Sequence, residues 1–413
     1  MAEVNTRKRG SNWEYRFEIA SVGGKRKQKS KGGFRTKKEA LEAGTKALNE
    51  YNNTGLTFTA SDMSVSDYMD LWFEEYCKLN LKYRTQLNYK GMIENHINPK
   101  LGQYKISGLT PAVLQTFINN IKIQGLSRSR AVGLKALLTS SLRYAIHPLG
   151  LIQVNPATDI IIPKFEQTSS KRFIITQKDF KRILRRFPFG SKFYIPLLLG
   201  YTCGLRLAET YAIDIKKDIN FDKKELHIRQ TVYKRYGDQA KQSKIYGWFI
   251  GTPKSITSDR VISLDDFTIK ELKREIKRQK ENKLFYGAYY TKLYLKPETD
   301  EKMNNIYKII ESDVDLDLEE ISLLMVDENG KFVNPDSIKY CSRVVKSELG
   351  IEFNYHSLRH THATMLIENG ANPKNVSVRL GHANVSITLN RYTHNTEYMN
   401  SDTVNIINSV IAL

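Results

Sequence analysis

The sequence predicts a multidomain, mainly α chain with small β-sheets, and three observations carry that expectation. At 413 residues it is too long for one compact core, so two or three domains are expected. Its apolar residues alternate at a period of two near the amino terminus, then recur at i, i+3, i+4 over longer stretches. Two polar or proline-marked stretches, residues 52–64 and 156–163, read as linkers between the resulting regions.

Taken in order, the elements begin with a strand. Trp13, Tyr15, Phe17 and Ile19 alternate with Glu14, Arg16 and Glu18, the period of a half-buried strand. Gly23 and Gly24 mark a tight turn into a second, strongly basic strand over residues 25–31. Thr36 and Glu39 frame a capping box that opens a helix running toward Tyr51. Residues 1–58 therefore read as a small sheet plus one helix. From 64 to 163 the pattern is helical. Tyr68, Leu71, Trp72, Tyr76 and Leu79 share a face, and further helices are expected over 84–97, 111–121 and 126–146. The last places Leu134, Leu137, Leu138, Leu142 and Ile146 together, with Arg128 and Lys135 elsewhere. A third region runs from about residue 171 to the end. Within it, residues 298–320 hold nine acidic residues against two lysines, and they read as a solvated insertion facing away from any polyanion.

Charge sets the class of partner. Lys plus Arg total 64 against 44 Asp plus Glu, a net charge of +20, which favours nucleic acid or an anionic surface over a neutral metabolite. The longest apolar stretch, 194–205, is broken by Gly200, Thr202 and Gly204, whereas a membrane span needs about 20 residues. The first twenty residues hold no apolar signal core. Cys77, Cys203 and Cys341 are odd in number and far apart, which suits buried free thiols in a reducing interior. The expected setting is the cytoplasm, with no membrane partner. Positive charge is densest at the start, where residues 1–60 carry 13 basic and 6 acidic side chains. Arg16, Lys25, Arg26, Lys27 and Lys29 in the basic hairpin, and Arg128, Arg130 and Lys135 in the helical region, are the candidate DNA contacts. The Gly23-Gly24-Lys25 run lacks the spacing of a phosphate-binding P-loop.

Histidines carry the sharpest signal, since five of the eight lie between His356 and His394. A zinc site built from His356, His360 and His362 would place Arg359 among its ligands, with neither an HExxH motif nor a nearby cysteine. A purely structural role suits any one histidine, but not two arginines in tight motifs beside histidines and a tyrosine. The third reading is metal-free phosphoryl transfer on a nucleic-acid backbone. Two guanidiniums can clamp the non-bridging oxygens, histidines can add hydrogen bonds, and a tyrosine phenol can attack. A lysine or similar acid would then protonate the departing sugar oxygen.

On these residues the chain resembles a tyrosine recombinase of the phage and conjugative-transposon integrase family. The family's TGxRxxE box appears as Thr202-Cys203-Gly204-Leu205-Arg206-Leu207-Ala208-Glu209. Its HxxRH box is intact from His356 to His360, its LGH box from Leu380 to His382, and Tyr392 follows His382 by ten residues. The resemblance covers essentially the whole chain. It implies a small arm-site-binding domain over 1–58, a helical core-binding domain over 64–163, an α+β catalytic domain over 171–394, and a tail over 395–413 that packs on a neighbouring protomer. It further implies that Arg206 and Arg359 bind the scissile phosphate, with His356 helping to position and deprotonate. His382 would hydrogen-bond the phosphate, Glu209 would orient Arg206, and Tyr392 would form a 3′-phosphotyrosyl link.

The family's general acid is a lysine on a β-hairpin between the two arginine boxes. Residues 251–264 match that hairpin, so Lys254 is the choice, with Lys241 and Lys244 as alternatives. No metal, ATP or other cofactor is implied. The implied partners are double-stranded DNA at core-type and arm-type sites, a homotetramer on that DNA, and an excisionase or host DNA-bending protein. The long interval that holds the acidic block departs from a minimal catalytic domain, and a protein contact or regulatory flap is hypothesised for it. Two rivals stay open: a type IB topoisomerase and a DNA-binding regulator without catalysis.

Overall fold

The computed structural model describes residues 4–22, 25–54, 62–166, 173–237, 245–252, 256–300, 303–382, 384 and 386. The chain divides into two units, Met1–Gln167 and Thr168–Leu413.

The first unit begins with a three-stranded antiparallel sheet, β1 (Asn5–Arg9), β2 (Asn12–Val22) and β3 (Lys25–Phe34), in the order β1-β2-β3. Helix α1 (Lys37–Thr54) covers it, burying Tyr15 and Phe17 with Leu48. The capping box forms: the Glu39 N–H donates to Thr36 Oγ1 at 3.2 Å, and the Thr36 N–H donates to Glu39 Oε2 at 3.4 Å. Glu14 departs from the expected solvated position. It lies opposite Arg7 across the β1–β2 ladder, so the guanidiniums of Arg7 and Arg9 cover its carboxylate. The Gly23-Gly24 turn and the side chains of Lys25, Arg26 and Lys27 lie outside the described residues.

Residues 62–166 form a helical bundle. Helix α2 (Val65–Trp72) continues through a π turn (Phe73–Cys77) to Asn80, and α3 (Tyr83–Met92) continues through another (Ile93–Ile97) to Leu101. Two further helices follow, α4 (Pro111–Ile123) and α5 (Arg128–Ile146). Tyr68 and Trp72 are fully buried, but Leu79 is 57% exposed. The π turn widens the helix by about one residue per turn, which rotates Leu79 off the apolar stripe and brings Cys77 into it. Leu134, Leu137, Leu138 and Leu142 pack together as the pattern predicts.

The stretch 156–163 is not a linker. Ala157 and Ile160 are buried in the bundle core, and Gln115 holds the Ile161 backbone from both sides at 2.9 and 2.8 Å. Its apolar residues follow no period because the segment crosses the helices as an irregular strap, and its two prolines therefore read as punctuation. Arg128 is exposed and Arg130 half-buried, while the Lys135 ammonium donates to the Ile160 carbonyl and so has an acceptor inside the bundle.

The second unit opens with α6 (Gln177–Arg186), α7 (Tyr194–Thr202) and the single turn α8 (Leu207–Thr210), followed by α9 (Ile215–Asp218). Helix α7 is apolar on all sides because it is buried on all sides. A three-stranded sheet, β4-β5-β8, comprises β4 (Ile219–Asn220), β5 (Glu225–Ile228) and β8 (Arg260–Ser263). A five-stranded sheet in the order β11-β9-β10-β7-β6 comprises β6 (Thr231–Tyr236), β7 (Ile245–Gly251), β9 (Lys292–Thr299), β10 (Asn305–Ser312) and β11 (Glu319–Glu320). Helix α10 (Asp266–Tyr286) lies between β8 and β9 in sequence, and α11 (Ile338–Leu349), α12 (Tyr355–Glu368) and α13 (Pro373–Leu380) follow the last strand.

Two expectations are corrected here. Residues 251–264 do not form one hairpin: β7 pairs with β6 and β10, whereas β8 pairs with β5, Leu226 opposite Ile262. The chain leaves the small sheet after β5, builds β6 and β7 in the large one, and returns as β8. The acidic block is not a solvated appendage either. Its carboxylates from Glu311 to Glu320 are exposed, but β10 pairs along both edges, and Ile309 belongs to the main core of this unit. Charge dominates the sequence pattern there, while the apolar residues between the carboxylates determine the packing. The three cysteines are buried and unpaired, and no helix among the described residues is long and apolar enough to cross a membrane.

Candidate functional site

Three stretches far apart in sequence meet at the carboxyl end of α13. An α-helix leaves its last carbonyls without helical partners, and those oxygens carry the negative end of the helix dipole. Gly381, in the left-handed region at φ +67°, ends the helix and turns them inward. Arginines supply the missing donors. Arg260 Nε donates to the Arg379 carbonyl at 2.7 Å, Arg359 Nη2 to the Leu380 carbonyl at 2.5 Å, and Arg206 Nη2 to the Gly381 carbonyl at 3.0 Å. Three successive carbonyls thus fix three guanidiniums, and the next residue is His382.

Each arginine is held a second time. Arg206 sits at the amino end of α8, where its N–H donates to Glu209 Oε2 at 3.0 Å and its Nη1 to Glu209 Oε1 at 2.6 Å. Arg359 also donates through Nη1 to the Gly204 carbonyl at 2.9 Å and is 1% exposed. Gly204 has φ +65°, and a Cβ there would stand 2.7 Å from the His362 ring, so only glycine brings this carbonyl to Arg359. The Arg206 side chain remains 37% exposed and faces solvent with part of its fork. Glu209 is buried. Burial alone would raise its carboxyl, but the guanidiniums of Arg260 and Arg206 outweigh that and hold it below the usual carboxylate range.

Around this clamp stand the histidines. His356 is exposed at the start of α12, its ring edge-on to His360 at 4.5 Å. A cavity of about 470 Å³ opens beside it, lined by Leu207, Lys339, Asn354 and Tyr355 among others. His382 is partly exposed, with its N–H on the Ser377 carbonyl at 3.0 Å. His362 has a different place. It is buried, with Nδ1 against the Tyr201 carbonyl at 3.0 Å and Nε2 accepting from Arg379 Nε at 3.1 Å. Tyr355 is also internal. Its hydroxyl bonds to Thr210 Oγ1 at 2.8 Å and to the Pro196 carbonyl at 3.0 Å, and burial pushes the phenol far up, which removes it as a nucleophile.

The structure therefore brings Arg206, Glu209, His356, Arg359 and His382 into one neighbourhood. Lys254, Lys241, Lys244, Tyr392 and the 395–413 tail lie outside the described residues. Beyond His382, the Asn384 Oδ1 accepts from the Ser386 N–H at 2.9 Å. Sequence reading missed Arg260 and Arg379. Both are basic residues in ordinary surroundings of sequence, and only tertiary contact reveals that they are tied to this site. Among the described residues no group of three His, Cys, Asp or Glu could hold a metal ion.

His362 gives a measurable pH signature. Burial, reinforced by Arg379, lowers its imidazole to about 4, so the folded chain resists a proton that the unfolded chain takes up near 6.5. The His362 contribution to stability should be complete above pH 6.5 and be lost as pH drops toward 4, by roughly 3 kcal/mol at most. The urea midpoint should decline between pH 7 and 4.5, and the decline should shrink in His362→Gln. An equal decline in both chains would assign the effect elsewhere.

Three family models match the chain: an arm DNA-binding domain over residues 3–51, the SAM-like amino-terminal domain of phage integrases over 64–122, and the phage integrase family over 174–399. Among curated relatives, a XerC-like tyrosine recombinase of Caldanaerobacter subterraneus subsp. tengcongensis is 28% identical over 382 residues, 91% of this chain and 90% of its own length. The transposase of transposon Tn916 from Enterococcus faecalis is 22% identical, covering 76% of this chain and 71% of its own. Among solved structures, the Tn1549 transposon integrase bound to circular-intermediate DNA superposes with a TM-score of 0.62 at 19% identity, covering 84% of this chain and 99% of that one. Fold and boxes together define a tyrosine-type site-specific DNA recombinase. The chain belongs to the phage integrase family.

Proposed function

We propose that this chain cuts and rejoins double-stranded DNA through Tyr392, integrating and excising a mobile element. One observation carries the reading: the carbonyls of Leu380 and Gly381 accept from Arg359 and Arg206, which gathers the three sequence boxes on a single turn. Arg206 presents its open edge to a non-bridging oxygen of the scissile phosphate, and Arg359 fixes the turn from the buried side while contributing charge. In-line attack by a phenolate builds charge on those oxygens, and prepositioned guanidiniums stabilise it without reorganising. His382 and His356 add hydrogen bonds, with His356 helping to remove the phenol proton. Lys254 protonates the departing 5′-oxygen. The phosphotyrosyl bond conserves the energy of the broken linkage, so the 5′-hydroxyl of a partner strand completes the exchange without ATP.

The basic sheet of residues 1–58 takes arm-type sites, residues 64–163 close on core-type DNA, and residues 171–394 carry the chemistry. Four copies act together on paired sites, each lending its 395–413 tail to a neighbour. In support, the structure of a lambda integrase tetramer bound to a Holliday junction superposes with a TM-score of 0.52 at 14% identity, covering 95% of this chain and 99% of that one. An excisionase or host bending protein sets the direction, in the bacterial cytoplasm.

The test uses a core-type site, selected from random-sequence duplexes by binding to the full chain and then nicked to trap cleavage. A denaturing gel should show the protein joined to the strand bearing the 3′-phosphate. No adduct, or one on a 5′-phosphate, would rule the reading out. A topoisomerase would give the adduct but no product joining two such sites.

A further inference from the structure

The geometry points to Arg260 as a positioning residue for strand cleavage, setting Arg206 through Glu209 and tying the returning strand β8 to the turn that carries His382. This rests on the reaction proposed above.

Four contacts make the case. The Arg260 guanidinium, 8% exposed, pairs with both oxygens of Glu209, Nη2 at 3.0 Å and Nη1 at 3.3 Å. Its Nε donates to the Arg379 carbonyl at 2.7 Å and its Nη1 to the Ser258 carbonyl at 2.9 Å. One planar fork therefore holds the carboxylate behind Arg206, the end of α13, and the chain four residues after Lys254. Such a fork is costly to bury, and here four of its five N–H groups make hydrogen bonds. Gly381 fits the same purpose, since a Cβ there would stand 2.9 Å from Arg260 Nη1 and force the two apart.

The arrangement also fixes the charge on Glu209. That carboxyl faces Arg206 from its own turn, Arg260 from β8, and the hydroxyl-bearing ring of Tyr355 from α12. Without Arg260, burial would dominate, the carboxyl would take up a proton at higher pH, and its hold on Arg206 would weaken. A residue that merely packed would not move that titration.

The experiment compares native, Arg260→Gln, Arg260→Lys, Glu209→Gln and Arg260→Gln/Glu209→Gln chains on the nicked core-type duplex, measuring site binding and adduct rate from pH 5.5 to 9. Arg260→Gln should bind the site within about twofold of native yet form adduct about a hundredfold more slowly. The acid limb of its rate profile should move to higher pH. Arg260→Lys should return that limb toward its native place while recovering part of the rate, since an ammonium pairs with Glu209 but cannot serve all three sites. The double variant should be no slower than the worse single one. A native rate and limb in Arg260→Gln, or additive losses in the double variant, would overturn the assignment. If Arg260→Gln does not fold, Arg260→Lys decides alone: a slowed rate with a near-native limb supports it, and an undiminished rate overturns it. Failure of the native chain to form adduct would instead remove the reaction itself.

Discussion

The Tyr392→Phe chain should bind its core site as tightly as the native chain and form no covalent adduct. The substitution removes only the phenol oxygen, the proposed nucleophile, and leaves the ring, so DNA binding should persist. A phenol, with a pKa near 10, ionises more readily than a serine hydroxyl, and the cations of Arg206 and Arg359 lower that cost further. No other tyrosine stands ten residues beyond the LGH box, and the Tyr355 hydroxyl donates to the Pro196 carbonyl and pairs with the Thr210 hydroxyl inside the fold. The expected loss is at least about 10⁴-fold, the scale seen when a nucleophile is deleted. A denaturing gel after incubation with nicked duplex reads it directly, and an adduct at native rate would reassign the nucleophile.

The second large effect belongs to Arg359. Arg359→Ala should lower the adduct rate by about 10²–10³, the scale of losing one preorganised donor. It should also destabilise the catalytic unit, because the carbonyls of Gly204 and Leu380 lose their donor in a site closed to water. Each unsatisfied buried acceptor costs about 1–3 kcal/mol, so a loss of roughly 2–5 kcal/mol is expected. Arg359→Lys should recover only part of either quantity, since one ammonium cannot span two carbonyls in the guanidinium plane. Thermal melts paired with adduct rates separate the two effects. If Arg359→Ala melts like the native chain, these two bonds are not what holds the turn.

Much of this is legible in the sequence, and what is not has physical causes. The capping box at Thr36 and the leucine face of residues 134–142 follow from local spacing, which the chain honours wherever one face alone is buried. The π turns in the bundle are not visible, because one extra residue per turn looks in sequence like an ordinary imperfect stripe. The strap at 156–163 reads wrongly as a linker because proline marks irregular backbone without saying whether that backbone is buried. In the acidic block the same masking works through charge: exposed carboxylates flank the strand residues that enter the core. For the site, the boxes name Arg206, Glu209, His356, Arg359 and His382 directly. Arg260 escapes because its partner Glu209 is 51 positions away and no local motif joins them.

Suspending three guanidiniums from three successive carbonyls has a mechanical consequence. The residues proposed to grip the phosphate are not independent parts that can be lost one at a time. Displacing the 380–382 turn by one hydrogen-bond length would release Arg206 and Arg359 together and swing His382 with them. Ten residues on from this turn in the sequence stands Tyr392, the proposed nucleophile. Loss of this one turn should therefore remove all three groups from the proposed site at once.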